Sequence, residues 1–391
     1  MEFDLTWILL GLPIAFALGW VASRLDLRQL RMENRQAPRA YFKGLNYLLN
    51  EQQDQAIDAF IEAVQKDPDT SELHFALGNL FRRRGDYERA VRVHEHLLSR
   101  GDISTADRDR AQHALALDFL KAGLIDHAES ALGKLEGTAH AQDAWLALLA
   151  LFERTREWDK ATAIARKLQA ARQADFTGRL AHYRCEQALT AWHRHQDFAT
   201  AQALLEQAIA DAPGQPRARI ELARLLDARG QSAQAFAVLA RLPDLAPQAL
   251  PLVAAELARL GKRSGQLEKA TAILAQHFAQ APSVDVTEAL VQARCAAGMP
   301  MPEARNSYLL HMAQESSLIA ATRWLASEPA IEAQAHATVQ HSLERAVRAV
   351  ARYRCAACGF EAQTYFWQCP GCQSWDSFPP RRIEELWHGP V

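Results

Sequence analysis

The sequence predicts an all-α chain: a superhelix of stacked helical hairpins, preceded by one apolar N-terminal helix and followed by a small cysteine-bearing knot. Three observations lead there. Alanine and leucine abound while β-branched residues are sparse outside the termini, a composition that favours helices. A small residue followed by helix-period apolar positions recurs at near-constant spacing through the middle of the chain. Four of the six cysteines fall into two CxxC pairs near the end. At 391 residues and 49% hydrophobic content, the chain can form two or three folded units with a large core. A formal net charge of -2 argues against a general nucleic-acid binder.

The first element is the uncharged run Leu5–Ala22, at the short end of the roughly 20 apolar residues that cross a bilayer of about 30 Å. Trp7 and Trp20 sit near its ends, where aromatic rings favour the interface. A cleaved signal peptide would carry positive charge before the run; here Glu2 and Asp4 precede it. Residues 1–23 are therefore expected to be a retained transmembrane anchor, followed by a juxtamembrane linker at 24–36. Arg24, Arg28, Arg31, Arg35 and Arg39 follow the run and no Lys or Arg precedes it, so the positive-inside rule places the body of the chain in the cytoplasm and the N-terminus outside. Gly11, Ala15 and Gly19 form a small-residue stripe that could admit a partner helix, against the plain alternative that glycine is common in membrane helices.

The repeat array is expected over 37–316. Aligned small residues are Ala56, Ala90, Ala128, Ala161, Ala201, Ala235, Ala270 and Ala304, spaced by 34, 38, 33, 40, 34, 35 and 34. Nine positions upstream stand Tyr47, Phe81, Phe119, Phe152, Trp192 and Leu226, then Gly261 and Cys295, so the last two units read as degenerate. The offsets resemble the tetratricopeptide pattern, in which alanine lets two helices approach and the bulky residue fills the space between them. A single hairpin cannot bury its apolar face, so neighbours must stack. Turns are marked at Gly85, Gly123, Gly230 and Gly265, and Pro68, Pro213 and Pro282 end second helices.

The C-terminal ends of the first helices carry Arg82, Arg83, Lys121, Arg154, Arg194, Arg224, Lys262 and Arg263. Two readings stand side by side: a basic groove for an acidic or C-terminal peptide, or cations that complement helix dipoles. Aromatic interleaving suited to nucleic-acid bases is absent, and no nucleic-acid partner is expected. Capping helices are expected over 317–352, with the apolar stripe Ile331, Ala335, Val339, Leu343, Val347 and Val350 delivering the knot to the array.

The knot and tail occupy 353–391. Cys355 and Cys358 are followed ten residues later by Cys369 and Cys372, a spacing that suits a closed four-thiolate site for one metal ion. Zinc is favoured and iron is the alternative, because rubredoxin-type iron sites also use paired CxxC. The reducing compartment argues against two disulfides. Tyr353, Phe360, Tyr365, Phe366, Trp367, Trp375 and Phe378 exceed what so small a knot can bury, which implies docking onto the array or a partner. No P-loop, GxGxxG, GxSxG or HExxH motif occurs, so binding is expected rather than catalysis.

The order of anchor, repeats and the C-terminal pattern Tyr353-Arg354-Cys355, Cys358-Gly359-Phe360, Trp367, Cys369-Pro370, Cys372 and Trp375 resembles the lipopolysaccharide assembly protein B family over essentially the full length. That resemblance implies an inner-membrane adaptor with a rubredoxin-like metal domain, the four cysteines being its ligands. It implies that the adaptor brings the lipid A deacetylase LpxC to the membrane protease FtsH, opposed by the membrane regulator YejM/PbgA, and so regulates lipopolysaccharide biosynthesis. A general scaffold for envelope or lipopolysaccharide assembly proteins is the second reading and a rubredoxin-like redox protein the third. Homo-oligomerisation and direct lipid binding are left open.

Overall fold

The structure is a computed structural model that describes residues 16, 20, 42–172, 174–328 and 333–386. The expected anchor, its Gly11/Ala15/Gly19 stripe and the linker lie outside the described residues, apart from Phe16 and Trp20, which are helical and exposed. Among the described residues no helix is long and apolar enough to cross a membrane. The chain divides into two compact units, Met1–Leu151 and Phe152–Val391.

The first unit holds α1 (42–49), α2 (Gln53–Lys66), α3 (Ser71–Arg84), α4 (Tyr87–Ser99), α5 (Thr105–Ala122) and α6 (Ile125–Gly133), and the division falls within α7 (Ala141–Thr155). The second unit continues through α8 (Trp158–Ala170), α9 (Thr177–His195), α10 (Phe198–Asp211), α11 (Pro216–Ala228), α12 (Ser232–Leu239) and the short α13 (Leu242–Leu245). A 3-10 segment, η1 (Pro247–Val253), leads into α14 (Ala254–Arg263), α15 (Leu267–Gln280), α16 (Val284–Ala296), α17 (Met301–Ala304), α18 (Asn306–Gln314), α19 (Leu318–Ala326) and α20 (Ala333–Val350). Pro247 occupies the first position, where no N–H is needed, whereas Pro251 lies inside the segment and interrupts a regular hydrogen-bond ladder.

One register runs through the hairpins. All eight aligned alanines are 0% exposed. Each alanine N–H donates to the carbonyl four residues before it, from Ala56 to Gln52 through Ala304 to Pro300. In six hairpins that same preceding residue donates its own N–H to the carbonyl of the bulky position: Gln52 to Tyr47, Asp86 to Phe81, Leu124 to Phe119, Glu157 to Phe152, Gln231 to Leu226 and Gln266 to Gly261. The bond closes the end of the first helix, and a left-handed residue such as Gly85 (φ 90°) completes the turn. The α9–α10 hairpin uses Gln196 (φ 55°) instead and shifts the bond by one residue, from Asp197 to Ala191.

Gly261 stands where a bulky residue is expected. It is not a loss of packing: a Cβ there would lie 2.6 Å from Ala270 Cβ and 3.4 Å from the Phe236 ring, so α14 and α15 approach more closely than a larger residue permits. Gly78 is constrained in the same way, since its Cβ would sit 2.5 Å from the His94 ring.

His94 belongs to a buried polar knot in the first unit. Its Nδ1 lies 2.5 Å from Asp118 Oδ2, and Arg82 Nη1 donates to Asp118 Oδ1 at 2.8 Å. Asp118 and His94 are fully buried. The triad ties α3 and α4 to α5. Removing one partner of a buried charged cluster leaves the others uncompensated, so Asp118→Ala is expected to cost about 3–5 kcal/mol in urea unfolding. A loss below about 1 kcal/mol would show the cluster to be dispensable.

In the second unit, burial holds His277 and His311 below the ordinary histidine range; Arg381 reinforces this at His277, while Glu315 opposes it at His311. The unfolded chain takes up these protons first. Their contribution is intact above about pH 6.5 and is lost as pH falls below it. The melting temperature is therefore expected to drop between about pH 6.5 and 5, and less so in His311→Leu; an equal drop in that variant would remove His311 from the explanation.

Candidate metal centre and its socket

The knot is built on a two-stranded antiparallel ribbon, β1 (Tyr353–Arg354) and β2 (Glu361–Ala362), with Tyr353 opposite Ala362 and Arg354 opposite Glu361. Cys355 opens the first turn and Gly359 closes it at φ 78°, its N–H donating to Cys355 O at 2.9 Å. The second turn runs from Cys369 to Gln373 (φ 60°), whose N–H donates to Cys369 O at 2.8 Å.

These turns bring the four sulfurs within 4.8 Å of one another. Cys355 and Cys372 are 3.8 Å apart, and Cys358 and Cys369 are 3.7 Å apart. A tetrahedral ion with metal–sulfur bonds of about 2.3 Å has sulfur–sulfur edges of about 3.8 Å. The separations are thus too long for disulfides and right for a single metal ion, and the residues fit the group. Ser377 Oγ lies 3.3 Å from the Cys355 sulfur and Ser374 Oγ 3.4 Å from that of Cys372, positions from which hydroxyls support thiolates.

Burial raises the Cys355 thiol, but hydrogen bonding from Ser377 and from the Cys358 and Ala357 amides overrides it and brings the thiol down to about 6. At Cys358 the Phe360 amide lowers the thiol, yet burial and the other three sulfurs push it up to about 12. Four mutually repelling thiolates cannot all ionise alone; a bound cation removes the conflict. Cys355 and Cys369 are buried while Cys358 and Cys372 reach the surface.

Tyr353, Phe378, Cys355 and Cys369 form the knot's own core, with Tyr365 and Phe366 packed against it. Phe360 remains 40% exposed. Trp375 turns the other way, into a socket on the repeats. Its ring stacks on His182 of α9 at 4.6 Å and meets Tyr183 and Trp158 edge-on at 6.0 and 6.2 Å. Its indole N–H donates to Glu153 Oε1 at 3.1 Å, and Tyr183 donates its hydroxyl to the same oxygen. His182 Nε2 sits 2.9 Å from Asp376 Oδ2, while Arg217 Nη1 faces His182 Nδ1 at 3.4 Å. Burial lowers the His182 pKa against the pull of Asp376, so the neutral ring donates through Nε2 and accepts at Nδ1.

The tail adds a second attachment. After the knot, η2 (Ile383–Leu386) places Glu385 against the N–H of Val284 at 2.7 Å and Glu384 against the N–H groups of Leu318 and Ile319 at 3.1 and 3.3 Å. Two carboxylates thereby cap the N-termini of α16 and α19, whose first amides have no partner within their own helices. Arg382 grips Asp285 with two bonds at 2.9 and 3.0 Å and lies 4.2 Å over the Tyr353 ring. Val347 and Val350 of α20 pack against the α16–α19 cluster, whereas Val339 is exposed; Ile331 and Ala335 lie outside the described side chains.

Of the eight cations expected along a groove, Arg82 is engaged by Asp118, Arg224 by Glu221 and Glu256, and Arg263 by Asp227, while Lys262 is exposed. Arg83, Lys121, Arg154 and Arg194 are exposed. Arg83 borders a cleft of about 450 Å³ in the first unit, floored by Leu45, Leu48, Phe60 and Leu80. The arginines that flank the knot are paired as well: Arg352 and Arg354 with Glu361, Arg381 with Glu315, and Arg382 with Asp285. Glu153, His182 and Asp376 were not legible as a site, because no motif joins residues 194 or more apart; the excess of aromatic residues around the knot was the only sign.

Stacked tetratricopeptide hairpins with a four-cysteine rubredoxin-type knot seated on them define a repeat protein with a metal domain. Residues 353–380 match the rubredoxin metal binding domain, and residues 73–109 and 193–260 match tetratricopeptide repeats. The chain is 30% identical to lipopolysaccharide assembly protein B of Escherichia coli K12 over 387 residues, 96% of this chain and 98% of that one. It is 25% identical to the protein of the same name from Haemophilus influenzae, over 97% and 98% of the two chains. Among solved structures it is similar to a tetratricopeptide repeat protein from Parabacteroides merdae at 14% identity and a TM-score of 0.33, covering 66% of this chain and 99% of that one. The chain belongs to the lipopolysaccharide assembly protein B family.

Trp375→Ala removes the ring that fills the socket and is expected to cost about 3 kcal/mol of thermal or urea stability while metal content is retained. Cys369→Ser should lose both the metal, read by elemental analysis, and the docking. Full stability in Trp375→Ala would mean that the tail alone holds the knot.

Proposed function

We propose that this protein is a membrane-anchored, cytoplasmic adaptor in lipopolysaccharide assembly, a scaffold rather than an enzyme, and that its metal is zinc in a structural role. The observation that carries the reading is the way the knot is used. Its aromatic face is committed to the repeats through Trp375 and its ligands sit in a closed sulfur cage, so the ion stiffens a binding body and leaves no open coordination position for chemistry. Family membership supplies the process. The partners are then the deacetylase LpxC and the protease FtsH, with YejM/PbgA acting at the anchor through a face such as Gly11/Ala15/Gly19. An anchor that holds client and protease in one plane raises their effective concentration, so weak contacts suffice.

The exposed Arg83, beside its apolar cleft, is the cation of the first unit best placed to meet an acidic client segment. Depletion of the protein is expected to lengthen deacetylase half-life in cells, and Arg83→Glu to weaken client capture from membranes without lowering stability. An unchanged half-life on depletion would reject the adaptor reading in favour of a general scaffold; a coloured iron–thiolate spectrum would revive the redox one.

A further inference from the structure

A second cleft, of about 530 Å³, lies within the second unit where the knot meets the repeats. Its walls come from the start of α9, the α10–α11 turn, η1 and the knot. The knot side presents the rings of Tyr365 and Trp367, which meet edge-on at 4.9 Å. Asp175, Asp211 and Asp376 line the cleft beside these rings, and among the described residues no Lys, Arg or His lines it. The larger cleft of about 760 Å³ beside α8 and α9 differs: there Arg156, Lys160 and Arg194 are interleaved with Glu157, Asp159 and Glu186.

The polar groups are acceptors with capacity left. Arg184 holds Asp211 by Oδ2, and His182 and Gln215 hold Asp376 by Oδ2, so that among the described residues Oδ1 of each carboxylate is left for a ligand. Gln215 Nε2 lies 3.0 Å from both Asp376 Oδ2 and His182 Nε2, so its amide belongs to the His182–Asp376 cluster. An aromatic wall ringed by carboxylates is complementary to a cation with several N–H donors, above all a guanidinium lying on the rings.

We propose that this cleft docks a cationic, extended segment of a partner protein, an arginine-bearing peptide whose side chain lies along Trp367 and Tyr365 with its donors toward Asp211 and Asp376. The site is opposite in sign to the Arg83 cleft and lies in the other unit. As a client-binding site it rests on the adaptor reading, although its chemistry does not. Part of the cleft belongs to the metal knot, so a docked knot is a condition for binding.

The test uses the full-length protein in lipid nanodiscs and the fluorescence anisotropy of a labelled peptide alternating arginine and glycine, with a glutamate–glycine peptide as control. The arginine peptide should bind and the glutamate peptide should not. Asp175→Asn and Asp211→Asn should each weaken binding roughly three- to tenfold. Gln248→Arg, which places a cation at the exposed lip, should block it with an unchanged melting curve. Equal binding of both peptides, or unchanged affinity in Asp175→Asn and Gln248→Arg, would overturn the proposal. A gain in peptide affinity on deleting residues 24–39 would assign the cleft to the chain's own arginines and overturn the partner reading. Deacetylase half-life on depletion tests the adaptor reading separately, so a working adaptor whose Gln248→Arg variant still binds the peptide isolates the failure to the cleft.

Discussion

Close approach of two helices at a single small residue is the constraint on which the hairpins depend. At Ala56 and its seven equivalents no surface is left, and each sits one turn beyond the residue whose N–H seals the preceding helix in six of the hairpins. A larger side chain at these positions would push the helices apart and unstack the bulky residue nine positions upstream. Gly261 shows the same constraint from the other helix. Where α14 meets α15 at Ala270, the bulky residue gives way to glycine and Phe236 approaches from the neighbouring hairpin.

The metal knot follows a different logic. Its own core is four buried residues with a few rings against them, too little to fold a segment of this length unaided. Two external sources make up the difference. The sulfur cage supplies metal-binding energy that is also folding energy. The socket around Trp375, with the helix caps made by Glu384 and Glu385, supplies tertiary burial and satisfies amides that would otherwise lack partners. The second CxxC turn is common to both, because Trp375 and Asp376 follow Cys372 by three and four residues. Metal ligation and docking are therefore mechanically joined: loss of the ion loosens the loop that carries the ring into its socket.

This joining gives the second unit a surface of defined shape, made by the knot and the repeats together. The cages and clefts of the second unit are assembled from chain segments far apart in sequence, and their charge signs differ from place to place. Arginines that look free along the sequence are in several cases internal struts, as Arg82 is for Asp118 and Arg382 for Asp285. Those that remain exposed, Arg83 among them, are the ones available to a partner.

The repeat register, the metal ligands and the surplus of aromatic residues were legible in the sequence because each is a local or periodic signal: a fixed spacing, a two-residue gap, a composition. Gly85 and its equivalents marked turns because few other residues adopt positive φ. What no local pattern carries was decided by the tertiary structure. Gly261 read as decay when it is a point of close approach between α14 and α15, since helix separation is a property of the pair. The pairing of Arg82 with Asp118, 36 residues away, and of His182 with Asp376, 194 residues away, depends on which faces meet after stacking. Periodicity determines which side of a helix is buried; it does not determine which distant side chain is buried against it.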